Sequence, residues 1–316
     1  LWLLMDGFRT QYFGAAASVA IATITRTATF LLLAYFVDTF LVAEAKPVAL
    51  PNVAFGVVAL ALVQGVFTYI GGRLAASTSE GISRRLRNYM LNHIQRLSFT
   101  YHDKMSTGEL IQRATSDIDA IRRFFAEQAI ETGRIMMLFV VNLVAIMFID
   151  WQLALLSVAV IPVVLVISLY FFRKVSDIYE RYQEQEATLS SALQENLSGV
   201  RVVKAFARQS YEEDKFDEVN SEMYERGRRL LTMHSLYWPI SDTLCGFQML
   251  FGFGVGAVMA INGRISVGEY LAYAGMLIWI IWPIRNLGRL IIQMSTAMVS
   301  LGREAEVVRE EPEQIE

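Results

Sequence analysis

The chain has 316 residues, of which 54% are hydrophobic and only 19% are charged, and its mean hydropathy is +0.38. Soluble domains are about 45–50% apolar and about 25% charged, so the composition excludes an ordinary soluble protein and the apolar content excludes disorder. The single cysteine, Cys245, excludes a disulfide scaffold, and the net charge of −3 gives no reason to expect nucleic acid as a partner. What remains is a helical membrane protein.

Six stretches of the chain are long and apolar enough to cross a membrane, because a spanning helix needs about 20 mostly apolar residues. Several of them contain Arg, Asp, Asn or Gln, which indicates that they face a bundle interior or a wet cavity more than lipid. The fourth follows the third after a very short turn at Asp150. The predicted spans are residues 13–37, 53–72, 133–149, 151–172, 243–261 and 267–284.

The placement of Lys and Arg predicts the orientation of these spans, because cytoplasmic loops carry an excess of both. Residues 73–134 hold ten Lys and Arg residues and residues 173–229 hold ten more, whereas the other three connections hold only Lys46 and Arg264. We therefore predict that the two long segments are cytoplasmic. Six spans then place both termini on that same side.

Each of the two long segments has about 60 residues, far more than an ordinary connection. Neither contains a proline, and apolar residues recur at helical spacing in both. Turn signals lie at residues 102–108 in the first segment, and at Ser198-Gly199, followed by residues 208–210, in the second. The pattern predicts two helical hairpins that reach about 35–40 Å into the cytosol, as stalks would that receive force from a cytosolic partner.

Four parts of the chain resemble type I ABC exporters, in the order and at the spacing of that family. Residues 99–117 resemble the first intracellular loop of these exporters, and residues 194–213 resemble the second. Residues 263–270 and 282–288 are similar to the start and the middle of their sixth helix, and residues 300–308 to its end. The resemblance implies an all-α integral membrane fold with six transmembrane helices and two long cytoplasmic helical hairpins.

The resemblance also implies a division of the chain and a set of partners. Residues 1–12 match an interfacial elbow helix, residues 13–300 the six-helix domain with stalks at about 73–134 and 173–235, and residues 301–316 the start of a linker. Two such chains pair as a homodimer or a heterodimer, and each stalk tip carries a short coupling helix that docks on a nucleotide-binding domain. The first coupling helix would comprise Tyr101, His102, Asp103, Lys104, Met105, Ser106, Thr107 and Gly108, and the second Val203, Lys204, Ala205, Phe206, Ala207, Arg208, Gln209 and Ser210.

The phosphate-binding loop that ATP hydrolysis requires, G-x-x-x-x-G-K-[ST], is missing from the sequence, because none of its five lysines follows a glycine. We therefore expect no catalytic, cofactor or metal site in this chain, and enzymatic activity only as part of an ATP-hydrolysing translocase. ATP and Mg²⁺ are expected on a nucleotide-binding domain that is C-terminal or on a separate polypeptide. The chain does not begin with Met, so we expect it to be a piece of a longer protein.

Polar and aromatic side chains within or beside the spans are candidates to line a substrate cavity. A charge at the depth of Arg26 is costly and normally faces a cavity or an acidic partner, so Arg26 either contacts an anionic or amphipathic substrate or forms a structural ion pair, for example with Asp242. Arg285 and Arg289 lie four residues apart on one helix face, at the inner mouth of the cavity or extended to the lipid headgroups. The candidates are Arg26, Asp242, Trp282, Arg285, Arg289 and Gln293.

The function predicted from the sequence is the membrane domain of an ATP-driven exporter of hydrophobic or amphipathic substrates, which include drugs, lipids and peptides. The alternative is a membrane scaffold or channel that has the exporter fold and does not pump. The expected location is a bacterial cytoplasmic membrane, and the expected partners are a second half-transporter, nucleotide-binding domains, the lipid bilayer and a small hydrophobic substrate.

Overall fold

The computed structural model describes residues 6–42, 50–310 and 313. The regular structure of this described part is helical throughout and includes no strand. Within the described residues, three π-helical stretches, Val37–Val42, Arg113–Asp117 and Phe124–Gln128, extend or join the α-helices. The α-helices are α1 Arg9–Phe36, α2 Leu50–Ile94, α3 Phe99–Lys104, α4 Thr107–Gln112, α5 Ile118–Arg123, α6 Ala129–Ile149, α7 Trp151–Ala159, α8 Ile161–Ala205, α9 Gln209–Ile261 and α10 Val267–Arg309.

The prediction of six spanning segments is confirmed, and the all-α membrane fold with it. Over the described residues, six helices or runs of helices are long and apolar enough to cross a membrane. Each of the six predicted spans lies within one of these runs, which extend from Arg9 to Leu41, Leu50 to Ile94, Thr107 to Ile149, Trp151 to Ala205, Gln209 to Ile261 and Val267 to Arg309. Most of the runs are much longer than the bilayer requires, because the same helices continue into the two hairpins.

The first hairpin is formed by α2 as one arm and by α3 to α6 as the other. Two serine caps build its turn: the side chain of Ser98 accepts a hydrogen bond from the backbone amide of Tyr101, and the side chain of Ser106 accepts one from the amide of Glu109. An N-cap serine satisfies an amide that has no partner inside the helix. The sequence signals at residues 102–108 therefore correspond to a real break in the helix.

The second hairpin is formed by α8 and α9. Its turn lies after the first of the two predicted turn signals. The prediction of a turn at Ser198-Gly199 was wrong, because α8 continues through both residues to Ala205. A glycine inside a helix costs only about 1 kcal/mol, so it weakens the helix without ending it. The chain instead turns at residues 206–208, where Ala207 adopts a left-handed conformation with φ of 50°.

Contacts divide the chain into two compact units, one made of the residues up to Pro162 together with those from Gln248 onward, and the other of Val163–Phe247. In the first unit, α10 is the central helix and packs against α1, α2, α5 and α6. Its side chains Tyr273, Met276 and Leu277 are fully buried.

A hydrophobic core joins the first hairpin to the end of α10 within the first unit. Phe8 and Tyr12, two residues of the predicted elbow helix, pack against this core, and residues 1–5 of that prediction lie outside the described part of the chain. The core consists of Ile82, Leu86, Met90, Leu97, Ile118, Ile121, Phe125 and Val307.

The second unit consists of the antiparallel parts of α8 and α9, which hydrogen bonds connect along their length. The hydroxyl groups of Ser168 and Tyr237 lie 3.0 Å apart, and the amide of Gln185 donates to the carbonyl oxygen of Val219 at 3.0 Å. Nearer the tip, the amide of Asn196 donates to the carboxylate of Glu212, also at 3.0 Å. The stalk prediction for the second segment therefore holds as a helical hairpin.

Candidate functional site

The tip of the first hairpin carries the residues predicted to form the first coupling helix. Tyr101 to Lys104 complete α3, Met105 and Ser106 form the turn, and Thr107 and Gly108 begin α4. Tyr101 anchors the tip, because its ring packs against the hairpin core and its hydroxyl group lies 3.1 Å from the sulfur atom of Met105. His102 is tied back through its Nε2 atom, which lies 3.1 Å from the carbonyl oxygen of Ile94.

The tip of the second hairpin carries the residues predicted to form the second coupling helix. Val203 to Ala205 are the last residues of α8, and Gln209 and Ser210 are the first of α9. Two hydrogen bonds close the turn between them: the Arg208 amide donates to the carbonyl oxygen of Val203 at 3.0 Å, and the Ala207 amide to that of Lys204 at 3.3 Å. This is the hydrogen-bond pattern that usually ends a helix with a left-handed residue.

Both tips expose a large aromatic side chain at the break between helices. Phe99, at the start of α3, is 80% exposed, and Phe206, in the turn of the second hairpin, is 74% exposed. Most of the surrounding polar residues are exposed as well. A large exposed aromatic group of this kind can serve as an anchor for a contact with another protein.

Arg26 lies in a polar cavity between α1, α2 and α6, within the first unit. The cavity has a volume of about 280 Å³, and its polar lining comes from Thr23, Arg26, Gln64, Thr68 and Arg134. Two guanidinium groups therefore face one cavity at the depth of the spans. From the sequence, only Arg26 is a cavity candidate, because Arg134 lies three residues after Glu131, a spacing typical of an ion pair on a solvated helix face.

Arg26 and Arg134 are held in different ways. The guanidinium group of Arg26 lies over the ring of Trp279 on α10, at 3.7 Å from the ring centroid. Arg134 pairs with Glu131, which its Nε atom contacts at 2.9 Å. Arg134 therefore has a local partner on α6, while the pairing of Arg26 with Asp242 stays a prediction, since Asp242 belongs to the second unit.

The other candidate cavity residues lie in different environments along α10. Arg285 is buried, with 3% of its surface exposed, and its guanidinium group lies 5.0 Å from the centroid of the Trp282 ring. Trp282 itself is 53% exposed, and Arg289 and Gln293 are exposed. The structure therefore brings Arg285 and Trp282 together, and it separates buried Arg285 from exposed Arg289 although both lie on one side of the helix.

Intramembrane hydrogen bonds tie the spans around this cavity. The hydroxyl group of Thr27 on α1 donates to the side-chain oxygen of Asn142 on α6 at 2.7 Å, and the amide of Gln248 donates to the carbonyl oxygen of Ser157 at 2.6 Å. Asn142 and Gln248 thus form contacts between helices of the first unit. Both bonds hold spans together. The bonded atoms of the two side chains are therefore already occupied and do not bind a substrate.

Helix α9 packs closely on α10 at Gly252 and Gly256 in the fifth span. A Cβ atom added at Gly252 would lie 2.7 Å from the hydroxyl oxygen of Tyr273, and one added at Gly256 would lie 3.1 Å from the ring of Tyr270. A side chain at Gly252 would force neighbouring atoms to move, and one at Gly256 would require a shift of a few tenths of an ångström. The two glycines thus place Tyr273 in the centre of the bundle.

Comparison with known proteins agrees with this architecture. The family model for the ABC transporter transmembrane region matches residues 13–284. The chain belongs to that family. It is therefore a multi-pass membrane protein with the transmembrane fold of ABC exporters, as the sequence predicted.

Curated bacterial proteins show what this domain is similar to. The chain is 27% identical over 259 residues to the uncharacterized ABC transporter ATP-binding protein YknU of Bacillus subtilis (strain 168), which covers 82% of this chain and 44% of the relative. It is 28% identical to the probable multidrug resistance ABC transporter ATP-binding/permease protein YheI of the same strain, over 69% of this chain and 37% of the relative.

A further relative is the ATP-dependent lipid A-core flippase of Syntrophus aciditrophicus (strain SB), at 25% identity over 84% of this chain and 44% of the relative. The chain thus spans less than half the length of these three relatives. The names of all three relatives refer to ATP.

Proposed function

We propose that this chain is the membrane half of an ATP-driven exporter, which pairs with a second half-transporter and receives force from nucleotide-binding domains. ATP and Mg²⁺ would bind those domains, because this sequence has no phosphate-binding loop. Closure of the nucleotide-binding domains would move the hairpin tips, and the long hairpin helices would carry that motion to the spans. The contribution of this chain to transport is conformational, as a two-state element that ATP and substrate both bias.

One observation carries the proposal: each hairpin ends in a sharp turn that presents an exposed aromatic side chain, Phe99 or Phe206. A hairpin that only braced the spans would have no reason to expose such a group at its far end. A large rigid aromatic side chain that fills a pocket on a partner is a frequent anchor of protein–protein contacts. The match to relatives named as ATP-binding proteins indicates which kind of partner this is.

The cavity around Arg26 and Arg134 supports an amphipathic substrate. Two arginines in one cavity at the depth of the spans favour a ligand with an anionic group, and the apolar spans around them favour an apolar body. Of the substrate classes predicted from the sequence, a lipid or drug with an acidic group fits this cavity best. Its recognition would rest on the guanidinium groups, which are strong donors to phosphate and carboxylate.

The test of coupling is substrate-stimulated ATPase activity of the purified transporter in lipid, measured with Phe99→Ala and Phe206→Ala. Each variant should lose most of the substrate stimulation of its ATPase activity and keep its fold, because only the docking group is removed. Phe148→Ala is the matched control, since Phe148 is 88% exposed but lies at the end of α6 far along the chain from either tip. Stimulation that is unchanged in both tip variants would contradict the proposal.

The test of the substrate class uses Arg26→Gln and Arg134→Gln with two lipids that differ in headgroup charge. The concentration of an anionic phospholipid that half-maximally stimulates the ATPase should rise about tenfold, because one charge-assisted contact of about 1.5–3 kcal/mol is lost. The half-maximally stimulating concentration of a zwitterionic phospholipid with the same chains should rise less. Equal effects on both lipids would show that the arginines only hold the spans together.

A further inference from the structure

A buried pair of carboxyl groups lies where the end of α10 packs on the first hairpin, far from the cavity described above. Glu304 on α10 is 2% exposed, and Asp117, at the end of the π-helical stretch Arg113–Asp117, is 5% exposed. The predicted sixth span ends at residue 284, and Glu304 lies 20 residues beyond it. Glu304 is therefore outside the predicted spans. Neither group has a role in the proposed docking or substrate contacts.

The hydrogen bonds in this region leave Glu304 without a donor. The hydroxyl group of Ser300, one turn before Glu304 on α10, donates to the Oδ1 atom of Asp117 at 2.8 Å. The Oδ2 atom of Asp117 and both carboxylate oxygens of Glu304 are buried and have no hydrogen-bond partner among the described residues. A buried carboxylate without donors is unstable, and protonation removes most of that cost.

Arg113, whose charge acts on Glu304, is also bonded to other groups through its two terminal nitrogens, while its buried Nε atom has no partner among the described residues. Its guanidinium group donates to the carboxylate of Glu109 at 3.0 Å and to the carbonyl oxygen of Arg303 at 2.9 Å, and it lies 3.8 Å from Glu306. The positive charge of Arg113 is therefore shared among the carboxylates of Glu109, Glu306 and Glu304. The buried cluster keeps an excess of negative charge.

The other charged groups on the packed elements do not supply this charge. On α5, Asp119, Arg122 and Arg123 form ion pairs with one another, and Arg122 also pairs with Glu80 of α2.

Two more groups lie close to the carboxyl pair. Arg303 on α10 lies 3.7 Å from the Oδ1 atom of Asp117, and it is half-exposed. His93 of α2 places its Nε2 atom 2.9 Å from the carbonyl oxygen of Val307, so its ring is also engaged with α10. A positive charge is still missing at the two oxygens of Glu304.

We propose that Glu304 is a proton-binding site, which takes up a proton as the pH falls to neutral and below while α10 packs on the first hairpin, and which releases it when the two separate. The bound proton makes the carboxyl group neutral, which removes a buried negative charge that has no hydrogen-bond donor. In this way, the packing of α10 on the hairpin depends on proton concentration, and movement of the hairpin away from α10 lets the proton leave.

Electrostatics supports the same assignment. Burial, and after it the negative charge of Asp117, raises the pKa of Glu304 from 4.5 to about 7, against the opposing effect of Arg113. A metal ion is a weaker candidate for the same place, because the described residues contain no group of three or more His, Cys, Asp or Glu side chains that would hold one. The guanidinium group of Arg113 would also repel a metal cation.

The sign of the pH dependence follows from the raised pKa. Because the folded protein holds this proton more tightly than the unfolded chain, the site contributes stability below the ordinary pKa of 4.5 and loses it as the pH rises through about 7. The variant Glu304→Gln keeps the shape and stays neutral at every pH. We therefore expect this variant to gain thermal stability relative to the wild type between about pH 5 and about pH 8.

The experiment measures thermal unfolding of the purified protein in lipid nanodiscs over that pH range, with infrared detection of protonated carboxyl groups. At neutral pH, the wild type should show a protonated-carboxyl band that Glu304→Gln lacks. Glu306→Gln is the matched control: Glu306 is two residues further along α10, and its side chain is 73% exposed. This control should keep both the band and the wild-type pH dependence.

A second variant separates a proton site from a merely tight packing contact. Asp117→Asn removes the negative charge beside Glu304, so the protonated band should disappear at lower pH than in the wild type. A band that is absent from the wild type at neutral pH would overturn the proposal. So would a pH dependence that Glu304→Gln leaves unchanged, or one that Glu306→Gln alters equally.

Discussion

The guanidinium group of Arg26 lies 3.7 Å from the centroid of the Trp279 ring, so a cation of the first span is covered by an aromatic side chain of the last. This contact allows a charge to remain at the depth of the spans without a carboxylate beside it, because the face of an indole ring attracts cations. It also joins α1 to α10, the central helix of the first unit. The cavity and the packing of the bundle therefore share one residue.

Replacement of Trp279 should destabilise the protein more than replacement of an exposed tryptophan. We expect Trp279→Leu to lower the free energy of unfolding by about 2 kcal/mol, because a desolvated cation–π contact is lost along with part of the ring packing. Thermal unfolding in lipid measures the change. Trp151→Leu is the control, since Trp151 is 57% exposed, and an equal loss in both variants would contradict a specific role for the contact.

Gly268, near the start of α10, should not tolerate even one added methyl group. A Cβ atom there would overlap the carbonyl oxygen of Ala34 and lie 2.7 Å from the carboxylate of Asp38, which accepts the Gly268 amide at 2.8 Å. We expect Gly268→Ala to cost about 3 kcal/mol, since α1 and α10 must move apart. Gly254→Ala, at a helical glycine with open space around it, should instead leave stability unchanged or raise it.

The ion pair of Asp119 with Arg122 should give the first hairpin a pH dependence of the opposite sign to that of Glu304. The hydrogen bond from Arg122, at 2.7 Å, lowers the pKa of Asp119, which lies in the hairpin outside the predicted spans. The pair therefore contributes stability above the ordinary pKa of 3.8 and loses it as the pH falls through the lower folded value.

The measurement for Asp119 compares unfolding midpoints of the wild type and Asp119→Asn at about pH 7 and about pH 3. The wild type should be more stable than Asp119→Asn at the higher pH, and the difference between the two proteins should shrink in acid. Asp217→Asn, at an exposed position on α9, provides the control. A difference that stays constant with pH would show that the substitution acts through packing and not through charge.

The turn of the second hairpin should become more stable when Ala207 is replaced by glycine. Ala207 has φ of 50°, a conformation that costs an L-residue about 1–2 kcal/mol and glycine almost nothing. Ala207→Gly should therefore raise the free energy of unfolding by about 1 kcal/mol. Ala187→Gly, inside α8, should lower it by about the same amount, and a loss in both variants would contradict the left-handed turn.

The sequence predicts the large elements well, because length and periodicity decide them. An apolar run of about 20 residues has few alternatives to a spanning helix, and a proline-free charged segment with helical spacing has few alternatives to a helical stalk. The position of the second turn was less certain from sequence. Gly199 gave a signal that the helix overrides, and Ala207 gave none, because alanine seldom adopts a left-handed conformation.

Two charged residues, Glu304 and Arg134, show where a pattern in the sequence fails to predict the environment of a side chain. Glu304 lies between Arg303 and Ala305 in a charged stretch that resembles a solvated helix end, and its burial depends on the packing of residues distant in the chain. Arg134 likewise shows only its neighbour Glu131 in the sequence, although it shares a cavity with Arg26. Charge in a sequence indicates exposure on average, and tertiary contacts decide the exceptions.

The measurement that tests the central claim most directly is ATP-dependent movement of a fluorescent anionic phospholipid across vesicles that contain the purified transporter with its nucleotide-binding domains. We predict movement that requires ATP and is lost when Phe99 and Phe206 are both replaced by alanine. Movement that proceeds equally without ATP, or that both substitutions leave unchanged, would contradict the account and favour a channel or a scaffold.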